Sequence, residues 1–262
     1  MAAALVRLDW DQGVATVTLD APARRNALSR QLLDELAARL RRAIADPRTR
    51  VLVLTHTGPV FCAGADLDEQ LASPGARPGV GGLVPVLQAL WDCPRPTLAR
   101  IAGPARGGGL GLIGACDLAV ADSAATFAFS EVRLGVAPAV VSVVTLPKLG
   151  LAAATELYLT AAPISAERAA ALGLITRAVA AADLDHAVEQ YVQALLAAPP
   201  AALAATKQLL RTVPTLPVPD ALAAMATLSA ALFGGDEARE GMAAFRERRP
   251  PRWAPAPTPT GP

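Results

Sequence analysis

The stretch that decides the fold is Gly107-Gly-Gly-Leu-Gly-Leu-Ile-Gly-Ala-Cys116, which comes shortly after a strand predicted for Leu98–Ala102. Glycine has no Cβ, so the main-chain N–H groups of such a run can approach a ligand closely. If a helix begins here, the N–H groups of its first turn also lack partners within the helix. The run therefore predicts exposed backbone donors at Gly107–Gly109, although close packing of a helix on a strand explains any single glycine equally well.

A second segment, upstream, has the same layout. Residues Pro59–Gln70 read PVFCAGADLDEQ and follow the apolar run Val51–Thr55, which is typical of a strand buried in a sheet. This order predicts a strand, a glycine-containing loop and a helix with Ala65 and Asp66 in its first turn. Such an arrangement again aims backbone donors at one point. The alternative is a capped helix in which Asp66 only complements the helix dipole.

The remaining periodicities predict an α/β core followed by helices. Val14–Leu19 alternates with period two, as in a strand, and Ser29 is a candidate N-cap for the helix that follows. Further strands are expected at Leu118–Ala121 and Ala125–Phe129, whereas the Gly/Pro-rich stretch Ser73–Gly82 is expected to be a mobile loop. The predicted divisions are a core at 1–195, a C-terminal helical region at 196–249 and a disordered Pro-rich tail at 250–262.

Composition excludes several classes of protein. Of 262 residues, 53% are hydrophobic and 18% are charged, so the chain can bury a substantial core. With 24 Lys and Arg against 23 Asp and Glu, the net charge of +1 argues against a nucleic-acid binder or a polybasic membrane surface. The uncharged stretches are rich in alanine and fall short of a strongly apolar membrane span. We therefore expect a cytoplasmic protein that binds neither nucleic acid nor membrane.

Cysteine and histidine usage gives no sign of a disulfide framework or a metal centre. Cys62, Cys93 and Cys116 are odd in number and lack a CxxC spacing. His56 and His186 have no nearby ligand cluster and no Gly-x-Ser-x-Gly partner. Metal-dependent catalysis and Ser-His-Asp catalysis are therefore not expected.

Gly109-Leu-Gly-Leu-Ile-Gly114 matches the Gly-x-Gly-x-x-Gly fingerprint of dinucleotide-binding proteins. That fingerprint normally needs a tight turn from strand to helix and an acidic residue at the end of the next strand. Here a linker separates Ala102 from the glycines, and Glu131 lies beyond the following strand. An NAD-dependent dehydrogenase is therefore a minor alternative.

Five motifs in order along nearly the whole chain resemble the crotonase, or enoyl-CoA hydratase/isomerase, superfamily. They are Asn26–Leu28, Ala63–Asp66, Gly107–Gly109, Phe127–Gly135 and Glu240–Pro250. The resemblance implies an α/β fold, a crotonase-like spiral of ββα units with a helical C-terminal trimerisation region. It also implies an acyl-CoA substrate, a homotrimer or dimer of trimers, and no cofactor beyond the coenzyme A that the substrate carries.

Carried over by motif, the resemblance places an oxyanion hole at the N–H groups of Ala65 and Gly108. Thioester chemistry at Cα or Cβ passes through an enolate-like species, and each preorganised donor to its oxygen is typically worth about 3–4 kcal/mol. Phe245 and Arg248 resemble a pair that closes over CoA, often from a neighbouring subunit, and an ordinary core aromatic is the alternative for Phe245. The full set of implied substrate- or CoA-binding residues is Asn26, Ala27, Leu28, Ala63, Asp66, Leu67, Gly107, Phe245 and Arg248.

Hydratases of this family usually carry two glutamates, and this chain has one of them. Glu131 occupies the second position, whereas Gly111 occupies the first. Glycine cannot activate water or move a proton, so the usual two-carboxylate mechanism is not available. Asp68 or Glu69 could replace the missing group if one of them faces the acyl pocket, but both fit solvated acids of a first helical turn.

Glu131 is the predicted acid/base. If the strand Ala125–Phe129 continues, Phe127, Phe129 and Glu131 share one face, and the aromatic surroundings raise the pKa of the carboxyl group. A raised pKa suits proton transfer at neutral pH. The alternative is a surface ion pair between Glu131 and Arg133.

The resemblance therefore predicts an acyl-CoA enzyme, most simply one that hydrates a 2-enoyl-CoA in fatty-acid or branched-chain acyl-CoA metabolism. A single glutamate also resembles the enoyl-CoA isomerases, in which one base moves a proton between carbons. Gly-Gly-Gly-x-Gly-Leu combined with Ser-Glu-Val-Arg-Leu-Gly-x-x-Pro-Ala looks like a branch that hydrates branched or glutaconyl-type CoA esters. A non-catalytic acyl-CoA binder is the alternative of another class.

Overall fold

A computed structural model describes residues 4–72 and 80–254 of the chain. Within them a six-stranded sheet has the order β1-β2-β3-β4-β6-β9, and a three-stranded sheet has the order β5-β7-β8. In the large sheet β1 and β2 are antiparallel and the other neighbours are parallel. The strands are β1 (Val6–Asp11), β2 (Val14–Leu19), β3 (Val51–His56), β4 (Thr97–Ile101), β5 (Ala105–Arg106), β6 (Leu118–Asp122), β7 (Thr126–Ala128), β8 (Ile164–Ser165) and β9 (Arg177–Val179).

Helices connect the parallel strands, because parallel neighbours cannot be joined by a tight hairpin. The helix between β2 and β3 begins as predicted, with the Ser29 hydroxyl accepting from the Leu32 N–H at 3.2 Å. The helices are α1 (Arg30–Ala45), α2 (Leu67–Ala72), α3 (Val80–Trp91), α4 (Gly108–Ala115), α5 (Ala139–Thr160), α6 (Ala166–Ala171), α7 (Leu184–Leu196), α8 (Pro200–Thr212), α9 (Val218–Phe233) and α10 (Asp236–Glu247).

Two apolar clusters cover the two faces of the large sheet. The larger one contains residues of α1, α3, α4 and the first half of α5, and the smaller one packs α7 against β3, β4 and β6. Helix α4 is entirely buried. The N-terminus of α4 is therefore fixed by packing on several sides.

Helix α5 spans 22 residues but is broken at Gly150, where φ is 69° and ψ is 166°. By length and composition α5 could cross a membrane, which is weak support for a span because core helices pass the same test. Its first half packs on α4 through the buried residues Val141, Val144 and Thr145.

Three expectations need correction. Strand β7 ends at Ala128, and Glu131–Leu134 forms a 3-10 turn, so Glu131 does not continue the strand face of Phe127 and Phe129. Helix α3 begins at Val80, inside the predicted loop 73–82, whose residues 73–79 lie outside the described part.

The third correction concerns the tail. Residues 250–254 are packed rather than disordered, since the Trp253 indole donates to the Ala197 carbonyl at 3.0 Å and the Arg252 N–H donates to Glu240 at 2.9 Å. Residues 255–262 of the predicted tail lie outside the described part.

Candidate functional site

The N-terminus of α4 presents backbone donors. Gly107 precedes the helix with φ 47° and ψ −116°, a conformation that side chains rarely allow. Its N–H donates to the Ala128 carbonyl at 3.1 Å, which ties α4 to the end of β7. The Gly108 N–H, at the first position of the helix, has no acceptor among the described residues. This amide is therefore available to a ligand.

The segment containing Ala65 runs beside that helix start. The Arg106 N–H donates to the Cys62 carbonyl at 2.9 Å, and a Cβ placed on Gly64 would lie 3.1 Å from the Arg106 carbonyl oxygen. The Leu28 N–H donates to the Gly64 carbonyl at 2.8 Å, which sets Ala65 beside Leu28. Within the described part of the chain the Ala65 N–H, like that of Gly108, has no acceptor.

Leu28 contacts both the Ala65 segment and the start of α4. Its Cδ1 atom would lie 2.5 Å from a Cβ placed on Gly108, so any side chain at position 108 would displace Leu28 from this contact. The Leu28 backbone pairs with the Ala65 segment and its side chain packs on Gly108. The two predicted oxyanion donors therefore lie on adjoining segments of one site.

The carboxyl group of Glu131 lies beside the start of α4. A Cβ placed on Gly107 would lie 3.4 Å from Glu131 Oε1, so the carboxyl group faces the start of α4. Its Oε2 atom is buried and has no hydrogen-bond partner in the parts of the chain that are described. Burial raises the pKa of Glu131, and the residue's own N–H opposes the shift. The predicted direction of the pKa is confirmed, but Glu131 is partly buried beside the start of α4 and does not lie on a strand face shared with the two aromatic rings.

Buried side chains crowd Gly111, the position at which hydratases of this family usually carry the first glutamate. A Cβ placed on Gly111 would lie 2.8 Å from Val141 Cγ1 and 3.4 Å from Leu87 Cδ1. A Cβ on Gly109 would lie 2.8 Å from the Cβ of Cys62, and one on Gly114 would lie 2.6 Å from Thr145 Cγ2. The glycines of the dinucleotide fingerprint therefore serve tight packing of α4 against its neighbours.

Comparisons with known proteins identify the family. A family model described as enoyl-CoA hydratase/isomerase matches residues 9–256. The chain belongs to the enoyl-CoA hydratase/isomerase family.

Relatives and solved structures of this family cover almost the whole chain. A probable enoyl-CoA hydratase of Rhodobacter capsulatus is 36% identical over 256 residues, which are 95% of this chain and 97% of the relative. The peroxisomal Delta(3,5)-Delta(2,4)-dienoyl-CoA isomerase of Arabidopsis thaliana is 29% identical over 266 residues, 95% of this chain and 96% of the relative. The crystal structure of an enoyl-CoA hydratase from Mycobacterium smegmatis superposes with a TM-score of 0.90 at 35% identity, covering 95% of this chain and 98% of that one.

These matches confirm the predicted α/β fold of the crotonase type. They also confirm the predicted class of enzyme, an enoyl-CoA hydratase or enoyl-CoA isomerase. The dehydrogenase alternative has no support in the family assignment or in the packing of the glycines.

Among the residues that the resemblance implies to bind substrate, Asn26 has a structural role. It is fully buried with φ 51°, and its side-chain oxygen accepts from the Ala21 N–H at 2.8 Å. Its side-chain nitrogen donates to the carbonyls of Thr57 and Val60 at 3.1 and 2.8 Å. Asn26 therefore braces the loop between β2 and α1. That this segment lines a CoA channel stays a prediction.

The other residues near the oxyanion segment are placed as follows. Leu28 is buried against Gly108, Ala27 and Ala63 are half-buried, and Leu67 is 47% exposed on α2. The resemblance implies that all four residues lie near CoA. In the structure, Ala63 and Leu28 lie beside Ala65.

The acidic residues of α2 do not replace the missing carboxylate. Asp66 is buried and caps α2 by accepting from the Glu69 N–H at 3.2 Å, and Arg24 bonds to it at 2.9 Å. Asp68 is exposed and pairs with the same Arg24 at 3.2 Å. Glu69 accepts from a backbone N–H at the start of α1, Arg30, at 2.9 Å. Asp66 is therefore the cap of α2, as in the alternative interpretation, and it precedes the helix instead of lying in its first turn. Its implied part in substrate binding stays a prediction.

Phe245 and Arg248 lie away from this site within one chain. Phe245 is 86% exposed on α10, so the alternative of a core aromatic is wrong. Arg248 is exposed at the C-cap of the same helix, with φ 53°. Neither contacts the Glu131 turn in the part of the chain that is described.

A cavity of about 510 Å³ was not foreseen from the sequence. It lies between α3 and α5 and borders Leu87, which also packs against Gly111. The signal that could have found it is the run of valines at 140–144, apolar on more than one helix face. Its lining residues are Val84, Leu87, Gln88, Trp91, Asp92, Ala139, Val140, Val143 and Val144.

The cysteines of this family member are buried and unpaired with one another. Burial raises the pKa of the Cys62 and Cys116 thiols to about 12, so neither is a reactive thiolate at neutral pH. In residues 4–72 and 80–254, no three His, Cys, Asp or Glu side chains are grouped so as to hold a metal ion.

Proposed function

We propose that the enzyme hydrates a 2-enoyl-CoA with Glu131 as the single acid/base and the N–H groups of Ala65 and Gly108 as the oxyanion hole. The observation that carries this proposal is the buried, unpartnered carboxyl oxygen of Glu131 beside the start of α4. A carboxyl group kept from water next to free backbone donors fits proton transfer to and from an enolate.

One carboxyl group can complete the reaction. The carboxylate of Glu131 takes a proton from water while the water oxygen bonds to Cβ, and the electrons of the double bond move to the thioester oxygen. Ala65 and Gly108 stabilise that oxygen by hydrogen bonding, with each donor contributing about 3–4 kcal/mol. The protonated Glu131 then returns the proton to Cα, which regenerates the carboxylate and leaves H and OH across the former double bond.

The substrate's acyl group extends into the cavity between α3 and α5. Leu87 joins the cavity to Gly111, one helical turn past Gly108, so the cavity begins close to the reacting carbons. Its lining is mostly valine and leucine, which favours fatty or branched apolar acyl groups. The reaction needs no cofactor other than the coenzyme A that the substrate carries.

Double-bond isomerisation is the second candidate. The observation that favours it is the closed position at Gly111, because a single base that moves a proton between two carbons needs no second carboxylate. The same two amides would stabilise the dienolate in that reaction.

We further propose that the chain works as a homotrimer or a dimer of trimers, with Phe245 and Arg248 closing over the CoA of a neighbouring subunit. A phenylalanine that is 86% exposed on an otherwise amphipathic helix supports an intersubunit contact. Sedimentation analysis of the purified protein should give a trimer or a hexamer, and a monomer would contradict this part of the proposal.

The experiment that tests the function offers 2-enoyl-CoA and 3-enoyl-CoA substrates and follows the absorbance of the conjugated thioester. Loss of that absorbance with the first substrate indicates hydration, and its appearance with the second indicates isomerisation. Glu131→Gln should lower kcat by about 10²–10⁴-fold with little change in CoA-ester affinity.

Glu156→Gln is the matched control, since Glu156 is exposed on α5 and pairs with Arg168. It should leave turnover unchanged. Full activity in Glu131→Gln would overturn the catalytic assignment. Binding of CoA esters without turnover by the unmodified protein would favour a non-catalytic acyl-CoA binder.

A further inference from the structure

Tyr158 connects the second half of α5 to the turn that carries Glu131. Its ring meets the ring of Phe129 edge to face, with centroids 4.6 Å apart and planes at 64°. Phe129 is buried and lies two residues before Glu131. The Tyr158 ring therefore packs against the residue that precedes the N-cap of the turn, Ser130.

The hydroxyl of Tyr158 is held in a hydrogen-bond chain with a defined direction. The buried Thr145 hydroxyl donates to the Val141 carbonyl at 2.8 Å. A hydroxyl has one proton, so Thr145 must accept in its 2.6 Å contact with the Tyr158 hydroxyl. Tyr158 thus donates to Thr145, and the chain ends on Val141, whose side chain lies against Gly111.

The Glu131 turn has little burial of its own. Residues 132–137 are exposed, and the turn is closed by short-range backbone bonds such as Val136 N–H to Glu131 carbonyl at 3.2 Å. After Glu131, the Arg133 guanidinium donates to the Thr160 carbonyl at 3.2 Å. Helix α5 therefore holds the turn on both sides of Glu131, through the Tyr158 ring and through the Thr160 carbonyl.

The electrostatic interactions of the Glu131 carboxyl group agree with a position near Tyr158. The pKa of Tyr158 is raised by burial, and the negative charge of Glu131 adds to the shift. Two cations near it in sequence or on the adjoining strand have other acceptors: Arg133 donates to the Thr160 carbonyl, and Arg106 donates to the Ala105 and Thr126 carbonyls and to the Thr126 hydroxyl. Neither cation offsets the effect of burial on the pKa of Glu131.

We propose that Tyr158 is a positioning residue for Glu131: its ring, anchored through Thr145, holds the turn against α5 and keeps water away from the carboxyl group. This inference rests on the proposed function, because it assigns Tyr158 a part in proton transfer by Glu131. With Gly111 at the other position, the reaction depends on the placement of one carboxyl group. A displacement of about 1 Å at such a group can lower the rate by roughly 100-fold.

The test compares Tyr158→Leu, which removes the ring, with Tyr158→Phe, which keeps it. The Leu variant should lose about 10-fold or more in kcat while KM changes by no more than about twofold. Its acid limb of kcat/KM should move to lower pH, because water that reaches Glu131 lowers the pKa of the carboxyl group. The Phe variant should keep most of the activity and the position of the acid limb.

Tyr191→Leu is the matched control. Tyr191 is also half-buried, but it packs on the other apolar cluster of the sheet, away from Glu131. It should leave the acid limb in place. An equal shift in Tyr191→Leu, or a Phe variant as impaired as the Leu variant, would overturn the proposed role of the ring.

A readout without turnover separates this inference from the proposed function. In protein labelled with ¹³C at glutamate carboxyl groups, the resonance lost in Glu131→Gln should titrate at lower pH in Tyr158→Leu than in the unmodified protein. An unchanged titration overturns the role of Tyr158 even if the enzyme is active. A shifted titration in a protein that turns over no enoyl-CoA supports the role of Tyr158 and overturns the proposed function alone.

If Tyr158→Leu does not fold, Thr145→Val provides the second variant. It removes the hydroxyl that anchors Tyr158 and keeps the shape of the buried side chain. The Glu131 resonance should again titrate at lower pH, by a smaller amount than expected for Tyr158→Leu. A resonance that titrates as in the unmodified protein would overturn the anchoring role of Thr145 and with it the proposal.

Discussion

Replacing Gly111 with alanine should destabilise the protein, although glycine inside a helix is normally the less stable choice. In an unobstructed helix, the change from glycine to alanine contributes about 1 kcal/mol of stability. Here the new Cβ would lie 2.8 Å from Val141 Cγ1 and 3.4 Å from Leu87 Cδ1. Both neighbours are almost fully buried, at 3% and 4% exposure, so neither can move away freely.

The two effects have opposite signs and similar sizes. Overpacking of this kind typically costs about 1–3 kcal/mol. Subtracting the helix contribution of about 1 kcal/mol leaves a loss of up to roughly 2 kcal/mol. Val141→Ala alone should cost about 2 kcal/mol through lost burial and the cavity it leaves. In the double variant the new methyl group occupies part of that cavity, so the two changes should be less harmful together than their sum by about 1–3 kcal/mol.

Urea unfolding of the four proteins at one fixed protein concentration measures this coupling, since assembly would make the apparent stability depend on concentration. Gly241→Ala is the matched control, because α10 leaves an ordinary 3.4 Å contact with Trp253 at that position. It should gain up to about 1 kcal/mol. If Gly111→Ala were equally stabilising, and additive with Val141→Ala, the space beside Gly111 would be open and the absence of the first carboxylate would not be steric.

Further changes test the neighbouring parts of the molecule. Asp66→Ala should cost about 1 kcal/mol in urea unfolding, because α2 loses the cap on the Glu69 N–H. Hydrogen bonds from Arg249 lower the pKa of Glu240 to about 2 from 4.5, so this carboxylate stabilises the fold above pH 4.5 and the contribution is lost as the pH falls toward 2. Glu240→Gln should therefore melt at a lower temperature than the unmodified protein at neutral pH, with a difference that shrinks on acidification. Val140→Phe should fill the cavity between α3 and α5 and lower kcat/KM for long-chain 2-enoyl-CoA by about 10-fold while sparing the four-carbon substrate. Leu146→Phe, on the same helix outside the cavity, should change neither.

Each of these has an outcome that would contradict it. An Asp66→Ala protein as stable as Asp68→Ala, whose side chain is 90% exposed, would show that the cap contributes nothing. A melting difference for Glu240→Gln that is constant with pH would mean that the carboxylate charge is not the stabilising feature. Equal losses on short and long substrates in Val140→Phe would place the acyl chain elsewhere.

Local sequence determined much of the fold and the donor segments. The Ser29 cap, the alternation of Val14–Leu19 and the apolar run Val51–Thr55 each act over a few residues, so they could be interpreted without the tertiary structure. The glycine run Gly107–Gly109 likewise predicted a helix start with free amides, because helix geometry alone leaves those groups without partners.

The environment of each side chain could be determined only from tertiary contacts. Asn26 looks like part of a binding motif. Its side-chain nitrogen, however, donates to the backbone carbonyls of Thr57 and Val60, more than thirty residues away. Gly111 reads as the loss of a catalytic group, but the close approach of Val141 from another helix means that any side chain at this position must displace a buried neighbour. Burial raises the pKa of Glu131, as the sequence predicts, but Glu131 lies in a 3-10 turn beside the start of α4 and not on a strand face.

By itself, then, the sequence determined which backbone groups are free to bind a developing negative charge, because those groups are left over by local hydrogen bonding. Only the tertiary structure decided that one carboxyl group lies next to them and that buried side chains crowd the position of the second. Burial, electrostatics and steric exclusion depend on residues far apart in the chain, such as Glu131 with Gly107 and Gly111 with Val141, and no local pattern encodes those distances.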